Sequence, residues 1–264
     1  MTLSAMQITD LKYEKSDAIA WVRIDRPERR NALGDTTTRQ IAQVCQDAAH
    51  DPAVRVLVVT GVGDAFCAGG DMQDTFERGR DMSAQQWSDR IRNGPNVLAR
   101  LLQTLDKPVI AAVNGVAVGG GTTIALACDL RITSDQARFC LPFARIGITP
   151  EFGCSYLLQR VVGLGRAMEL LLLGEFIGAE TAERYGLVNR VVAHQDLPQA
   201  TLQMAQHLAA LPAEALARIK QLQRFAQSNG LDATLEQEAL SLGQCFTSEE
   251  HRAAVARFLS RKPR

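Results

Sequence analysis

The sequence predicts an α/β fold followed by an all-helical C-terminal region, and two observations carry that expectation. Short apolar runs bounded by Asp, Gly or Pro alternate with helical stretches, the pattern of βαβ units with parallel strands. After about Leu197 the strand signals stop. With 264 residues, 46% of them hydrophobic, the chain is long enough to bury a sizeable core.

Taken in order, residues 18–24 alternate and are β-rich, and residues 36–49 read as a helix. RVLVVT at 55–60 and PVIAAVN at 108–114 read as buried strands, with a helix over 87–105 between them. The stretch 72–92 reads as irregular or weakly helical, and a mobile segment there would line a pocket and carry specificity. Beyond the last strand, residues 200–211, 213–229 and 231–259 are rich in Ala, Leu, Gln, Glu and Arg, and Leu211-Pro212 and Gly230 separate them as helices. The expected division is a core over 1–197 and a helical region over 198–264. That region is too thin for a large core of its own, so it is expected to pack on the main domain or a neighbouring subunit.

Lys plus Arg number 29 and Asp plus Glu number 29, which removes the basic charge that draws proteins to nucleic acid or anionic membranes. The six cysteines form no CxxC pair and lie mostly in apolar stretches, the signature of reduced, buried thiols rather than a zinc site or disulfide framework. The N-terminus has scattered charges and no apolar core of a signal peptide, no continuous apolar run is long enough to span a membrane, and the terminal Lys-Pro-Arg is not a peroxisomal address. A soluble, cytoplasmic protein without a metal is expected.

Two glycine-rich turns carry the chemistry. Ala65-Phe66-Cys67-Ala68-Gly69-Gly70-Asp71 follows the RVLVVT strand, and Asn114-Gly115-Val116-Ala117-Val118-Gly119-Gly120-Gly121 follows the PVIAAVN strand. Small residues at such junctions let a ligand approach the backbone, and helix N-termini beyond them add positive potential. Each turn could instead be a tight connection or a close packing contact. A dinucleotide fingerprint fails on spacing: Gly61-Val62-Gly63 meets Phe66 where the third glycine belongs, and GVAVGGG lacks the GxG start.

These residues resemble the crotonase (enoyl-CoA hydratase/isomerase) superfamily. The likeness rests on DRPERRNAL at 25–33, AFCAGGDM at 65–72, KPVIAAVNGVAVGGG at 107–121, CDLRI at 128–132 and GLV at 186–188, in the family's order and spacing from about residue 10 onward. It implies a crotonase-like spiral of ββα turns, a helical C-terminal trimerisation region, and assembly as a homotrimer or as a hexamer of two trimers. It also implies an acyl-coenzyme A substrate with no permanently bound cofactor. The family's oxyanion hole then falls on the N–H groups of Ala68 and Gly120, and its CoA-contacting loop on Ala68, Gly69, Gly70 and Asp71. Preorganised donors at a thioester oxygen that gains negative charge are worth roughly 2.7–4 kcal/mol each.

Family hydratases resemble one another in two glutamates, one just after the triple glycine and one some twenty residues later. Thr123 and Phe143 stand at those positions here, and neither can act as a carboxylate base. Downstream, Ile148-Thr149-Pro150-Glu151-Phe152-Gly153-Cys154-Ser155 resembles the segment in which family Δ3,Δ2-enoyl-CoA isomerases hold a single catalytic glutamate, and Leu141-Pro142-Phe143 resembles the same branch. The likeness therefore implies Glu151 as the single base, taking the α-proton of a 3-enoyl thioester and returning it to C4. Phe143 and Phe152 would wall the site and raise the carboxylate's pKa. A plainer role for Glu151 is a helix start, with Thr149 as N-cap and Pro150 at the first position. The segment also resembles ring-opening isomerases, which have an aspartate where Glu151 stands. Enoyl-CoA hydratase activity and a non-catalytic acyl-CoA-binding member remain open beside the isomerase.

Cys67 lies beside the first turn, yet none of the four histidines sits in a glycine-rich motif, which leaves a Cys-His nucleophile unsupported. Asp71 reads as a helix cap or an orienter of the loop. Arg26, Arg29 and Arg30 either meet CoA phosphates or form a solvated loop.

Overall fold

A computed structural model of the chain describes residues 8–260, the Phe76 side chain excepted. The N-terminal residues read for an export signal and the Lys-Pro-Arg end lie partly or wholly outside that range. Two sheets form the framework. The larger has six strands in the order β1 (Leu11–Ser16), β2 (Ile19–Ile24), β3 (Val56–Gly61), β5 (Val109–Val113), β7 (Leu130–Ser134) and β10 (Arg190–Val192). The smaller has four: β4 (Ala65–Cys67), β6 (Val116–Val118), β8 (Arg138–Cys140) and β9 (Ile177–Gly178). The β1–β2 and β8–β9 pairs are antiparallel and all others parallel.

After β1 and β2, which both lie in the large sheet, the pairs β3–β4, β5–β6 and β7–β8 each give one strand to the large sheet and the next to the small one, and then a helix. After β5 and β6 comes α4 (Gly120–Ala127), and after β7 and β8 comes α5 (Cys154–Val162). This is the expected ββα spiral. The period-two side-chain alternation of β3 splits its residues between two cores: Leu57 and Val59 face the main one, Val56 and Val58 the other. Burial on both faces is why RVLVVT is a continuous apolar run rather than an alternating one.

Helix α1 (Asp35–His50) lies close to the expected span. The helix expected over 87–105 is two, α2 (Ala84–Asn93) and α3 (Pro95–Thr104), because Pro95 has no N–H to continue the ladder. Residues 72–92 are more regular than expected. They hold a π-helix at Met72–Glu77, capped by Asp71, and the start of α2 at a Ser83–Gln86 capping box.

Helices α6 (Leu164–Leu173) and α7 (Ala179–Arg184) precede β10, and after that strand the chain is helical, as the composition predicts. The first of these last helices, α8 (Leu197–Ala209), buries Leu197, Ala200 and Ala205 against the back of the large sheet, so it belongs with the core rather than with the helical appendage. The stretch 231–259 is again two helices, α10 (Leu231–Thr247) and α11 (Glu249–Leu259), because the Ser248 hydroxyl caps the second by accepting from the His251 N–H at 3.1 Å. Helix α9 (Ala213–Ala226) is fastened to the core through Lys220, whose ammonium meets Asp129 at 2.5 Å and the Lys107 carbonyl at 2.9 Å. No helix among the described residues is long and apolar enough to cross a membrane.

Candidate active site

The two glycine turns, some fifty residues apart in sequence, leave the ends of β4 and β6, which are parallel neighbours in the small sheet. That adjacency brings them together. A Cβ built on Gly69 would lie 2.7 Å from the Val118 carbonyl and 3.8 Å from the Gly120 nitrogen, and one on Gly121 would lie 2.2 Å from the Cys67 carbonyl. Gly69 (φ +87°) and Gly119 (φ +51°) take backbone that L side chains rarely adopt.

Gly120 is the first residue of α4, so its N–H has no partner within the helix, and the positive end of the helix dipole adds to it. The second donor expected at Ala68 is already committed: its N–H donates to the Arg30 carbonyl at 3.0 Å. Arg30 and Asn31 both have positive φ, 49° and 59°, which turns that carbonyl toward the loop. Two residues on, the Leu33 N–H donates to the Gly69 carbonyl and the Asp71 N–H to the Leu33 carbonyl. The N–H between them, of Gly70, donates to no described residue, and Gly70 lines the same cavity as Glu151. The unpartnered N–H of this turn is thus that of Gly70, where the sequence pointed to that of Ala68.

Glu151 lies outside any helix. Helix α5 starts at Cys154, whose N–H donates to the Glu151 carbonyl at 2.9 Å, so the N-cap arrangement at Thr149 is not formed. Phe152 (φ +53°) and Gly153 (φ +81°) are consecutive left-handed residues, a strained turn held by burial of the Phe152 ring. It aims the carboxylate at the glycine turns, with Oε1 only 3.1 Å from where a Gly120 Cβ would be. No described residue hydrogen-bonds the carboxylate, and burial raises its pKa above the ordinary range.

The cavity is walled by Leu33, Asp35 and Thr38 on one side, by Trp87, Arg90 and Ile91 of α2 on the other, and by Gly70, Glu151 and Phe152. Its volume is about 30 Å³, room for about one water. Phe143 is buried and packs beside Gly119, and Thr123 donates its hydroxyl to the Gly119 carbonyl at 3.1 Å. A larger cavity of about 460 Å³ lies behind the six-stranded sheet against α8, and neither glycine turn's donor nor Glu151 lines it. No cluster of three or more His, Cys, Asp or Glu among the described residues could hold a metal ion.

Asp71 is a cap. Its carboxylate accepts from the Gln73 and Asp74 N–H groups at 3.0 and 3.2 Å and pairs with Arg26 at 2.8 Å. Burial would raise its pKa, but the Asp74 N–H and the Arg26 guanidinium more than offset that and hold it below the ordinary value. Arg26 also donates to the Ala32 carbonyl at 2.6 Å, so it braces the turn. Arg29 and Arg30 stay exposed. Asp71→Asn is expected to cost about 1.5–3 kcal/mol at neutral pH, the span of a hydrogen bond to a charged group, since it removes Arg26's nearest charge partner and leaves Asp10 and Asp74 at 3.7 and 3.8 Å. A depressed carboxyl stabilises above its unfolded pKa, so the deficit should shrink as pH falls below about 4, which urea melts at pH 7 and pH 3 would read.

Cys67 is fully buried and its thiol is pushed up to about 12 by that burial, so it is no nucleophile near neutral pH. CDLRI and GLV serve structure: Arg131 of the first donates to the Leu187 carbonyl of the second at 2.8 Å. The stretch 72–92, expected to line a pocket, supplies Thr75, Trp87, Arg90 and Ile91, whereas sequence reasoning missed Asp35 and Thr38 on the facing helix.

Two glycine turns from neighbouring strands thus present unpartnered N–H groups beside one partly buried carboxylate, within a framework that is shared with known proteins. The chain belongs to the enoyl-CoA hydratase/isomerase family, whose model matches residues 14–264. It is 38% identical to the 1,2-epoxyphenylacetyl-CoA isomerase of Escherichia coli over 90% of this chain and 91% of that one. It is 34% identical to the short-chain-enoyl-CoA hydratase of Clostridium acetobutylicum, over 97% of each. Among solved structures it superposes on an enoyl-CoA hydratase from Polaromonas sp. JS666 with a TM-score of 0.90, at 33% identity over 96% of this chain and 98% of the other.

Proposed function

We propose that the protein is a Δ3,Δ2-enoyl-CoA isomerase that holds a thioester enolate with the N–H groups of Gly70 and Gly120 and moves its proton with Glu151 alone. The observation that carries this reading is that Glu151 is the one carboxylate of the cavity with no charge partner among the described residues, since Asp35, the other acid in its wall, is paired with Arg90 at 2.9 Å. The two other positions from which a base could face the turns hold Thr123, bonded to Gly119, and a buried Phe143. Water addition across the double bond is favoured by two cooperating acid–base groups, whereas migration needs one base that removes a proton from C2 and returns it at C4. The enolate oxygen between the two steps is where the orphan donors act.

The 38% identical relative that is a 1,2-epoxyphenylacetyl-CoA isomerase supports ring isomerisation as a second reading, and the aromatic wall of Trp87 and Phe152 suits a cyclic acyl group. Assembly as a trimer or hexamer in the cytoplasm completes the proposal. It is supported by the apolar residues left exposed on α10 and α11, among them Leu231, Leu235, Phe246 and Phe258. Incubation with trans-3-enoyl-CoA and with trans-2-enoyl-CoA, following migration and hydration separately, tests the reaction. Migration is expected from the first; hydration of the second without migration of the first would overturn the proposal.

A single partly buried base also sets the pH profile. Glu151 must be ionised to take the proton, and its pKa lies above the ordinary carboxyl value, so kcat/KM should climb through one ionisation at a pH above about 4.3 and then level off. No histidine lines the cavity to add a second limb near neutrality.

A further inference from the structure

A cavity of about 30 Å³ cannot admit an acyl thioester, so one of its walls must move before any such substrate enters. The inference below rests on the acyl-CoA reading of that cavity. One wall is α1, which carries Asp35 and Thr38; the other is α2, which carries Trp87, Arg90 and Ile91.

Arg90 joins the two. Its Nη1 and Nη2 donate to the Thr75 and Asp74 carbonyls at 3.0 and 2.8 Å, tying α2 to the π-helix, while its Nε donates to Asp35 Oδ1 at 2.9 Å across the cavity. Its guanidinium also stacks over the Trp87 ring, 5.2 Å from the centroid. The indole is seated in a notch that exists because residue 79 is glycine: a Cβ there would lie 2.2 Å from the ring. Helix α2 ends at Gly94 followed by Pro95, a break without side-chain bonds where the helix can pivot.

We propose that the Asp35–Arg90 ion pair is the gate of the acyl pocket and that Arg90 is the residue positioning α2 over Glu151. Two of its three contacts hold α2 to the π-helix, and the third crosses the cavity. Breaking that third contact lets α2 swing on Gly94 without disturbing the other two. The Asp35 side chain is 65% exposed and Arg90 only 12%, so solvent ions reach the crossing contact from the Asp35 side and screen it.

The test uses Trp87 as the reporter. The chain has two tryptophans, so a Trp21→Phe background leaves Trp87 alone. In that background Asp35→Asn is expected to raise acrylamide quenching of Trp87 at least twofold without ligand. Stopped-flow binding of butyryl-CoA, a saturated thioester, should show on- and off-rates each three- to tenfold faster. The parent's on-rate should rise with salt and the variant's should not. With a 3-enoyl-CoA, KM should change more than kcat. Gly79→Ala, which evicts the indole, should move quenching in the same direction, and circular dichroism melts identify a variant that has not folded. Equal quenching and equal, equally salt-dependent rates in parent and Asp35→Asn overturn the gate while leaving the acyl-CoA site intact. Altered quenching with no butyryl-CoA binding by any form supports the gate and overturns the acyl-CoA reading instead.

Discussion

Glu151→Gln is expected to lower the rate of double-bond migration about 10²–10⁴-fold, the span a positioned general base contributes. Binding of a saturated acyl-CoA should change little, because glutamine keeps the shape of a side chain that no described residue hydrogen-bonds. The same substitution should stabilise the fold at neutral pH. A carboxyl raised by burial binds its proton more tightly folded than unfolded, so its ionisation subtracts stability as pH rises from the unfolded pKa through the folded one. Above that window the wild type has taken the whole penalty, and glutamine takes none. An inactive variant with a higher midpoint in urea would bear out both halves. Undiminished migration would remove Glu151 as the base.

Gly120→Ala is the second large effect, expected at about 10²–10³ in kcat, comparable to losing an oxyanion donor. Its Cβ would stand 3.1 Å from Glu151 Oε1, 3.1 Å from Phe152 Cε2 and 3.3 Å from Leu33 Cδ1. The Phe152 ring is buried and cannot yield, so the free carboxylate is displaced. Gly120 does not have a positive φ, so the methyl adds no backbone strain and the variant should fold. Gly121→Ala is the control, because its Cβ would meet the Cys67 carbonyl at 2.2 Å and neither backbone can give way. Assayed together with soluble yield, the first should be folded and slow, the second poorly folded.

The strands and the two turns were legible because burial on both faces writes a continuous apolar run, and a close approach of two loops demands glycine. The break at Gly94-Pro95 was also written in the sequence, as a stop followed by a helix-starting proline, although helical composition on both sides masks it. Which N–H of the first turn is free was not legible. Whether Ala68 or Gly70 has its N–H free depends on which way the Arg30 carbonyl points, and that is set by positive φ at 30 and 31, nearly forty residues upstream. The alternatives for Arg26 stayed open for a similar reason: a guanidinium looks the same in sequence whether it faces a phosphate or is engaged by Asp71 and a carbonyl. Arg90 and Asp35, fifty-five residues apart, meet only through the packing of two helices.

Because β4 and β6 are hydrogen-bonded neighbours, the slot between the two turns is gauged by the spacing of parallel strands, about 4.8 Å. Backbone geometry fixes that dimension, and no side-chain substitution along the strands resets it. The proposed carbonyl slot therefore works as a ruler that reads a thioester the same way whatever acyl group follows it. The proposed acid–base residue stands on a separate turn and can be exchanged without touching the ruler, which gives one scaffold room for relatives named as hydratases and as isomerases.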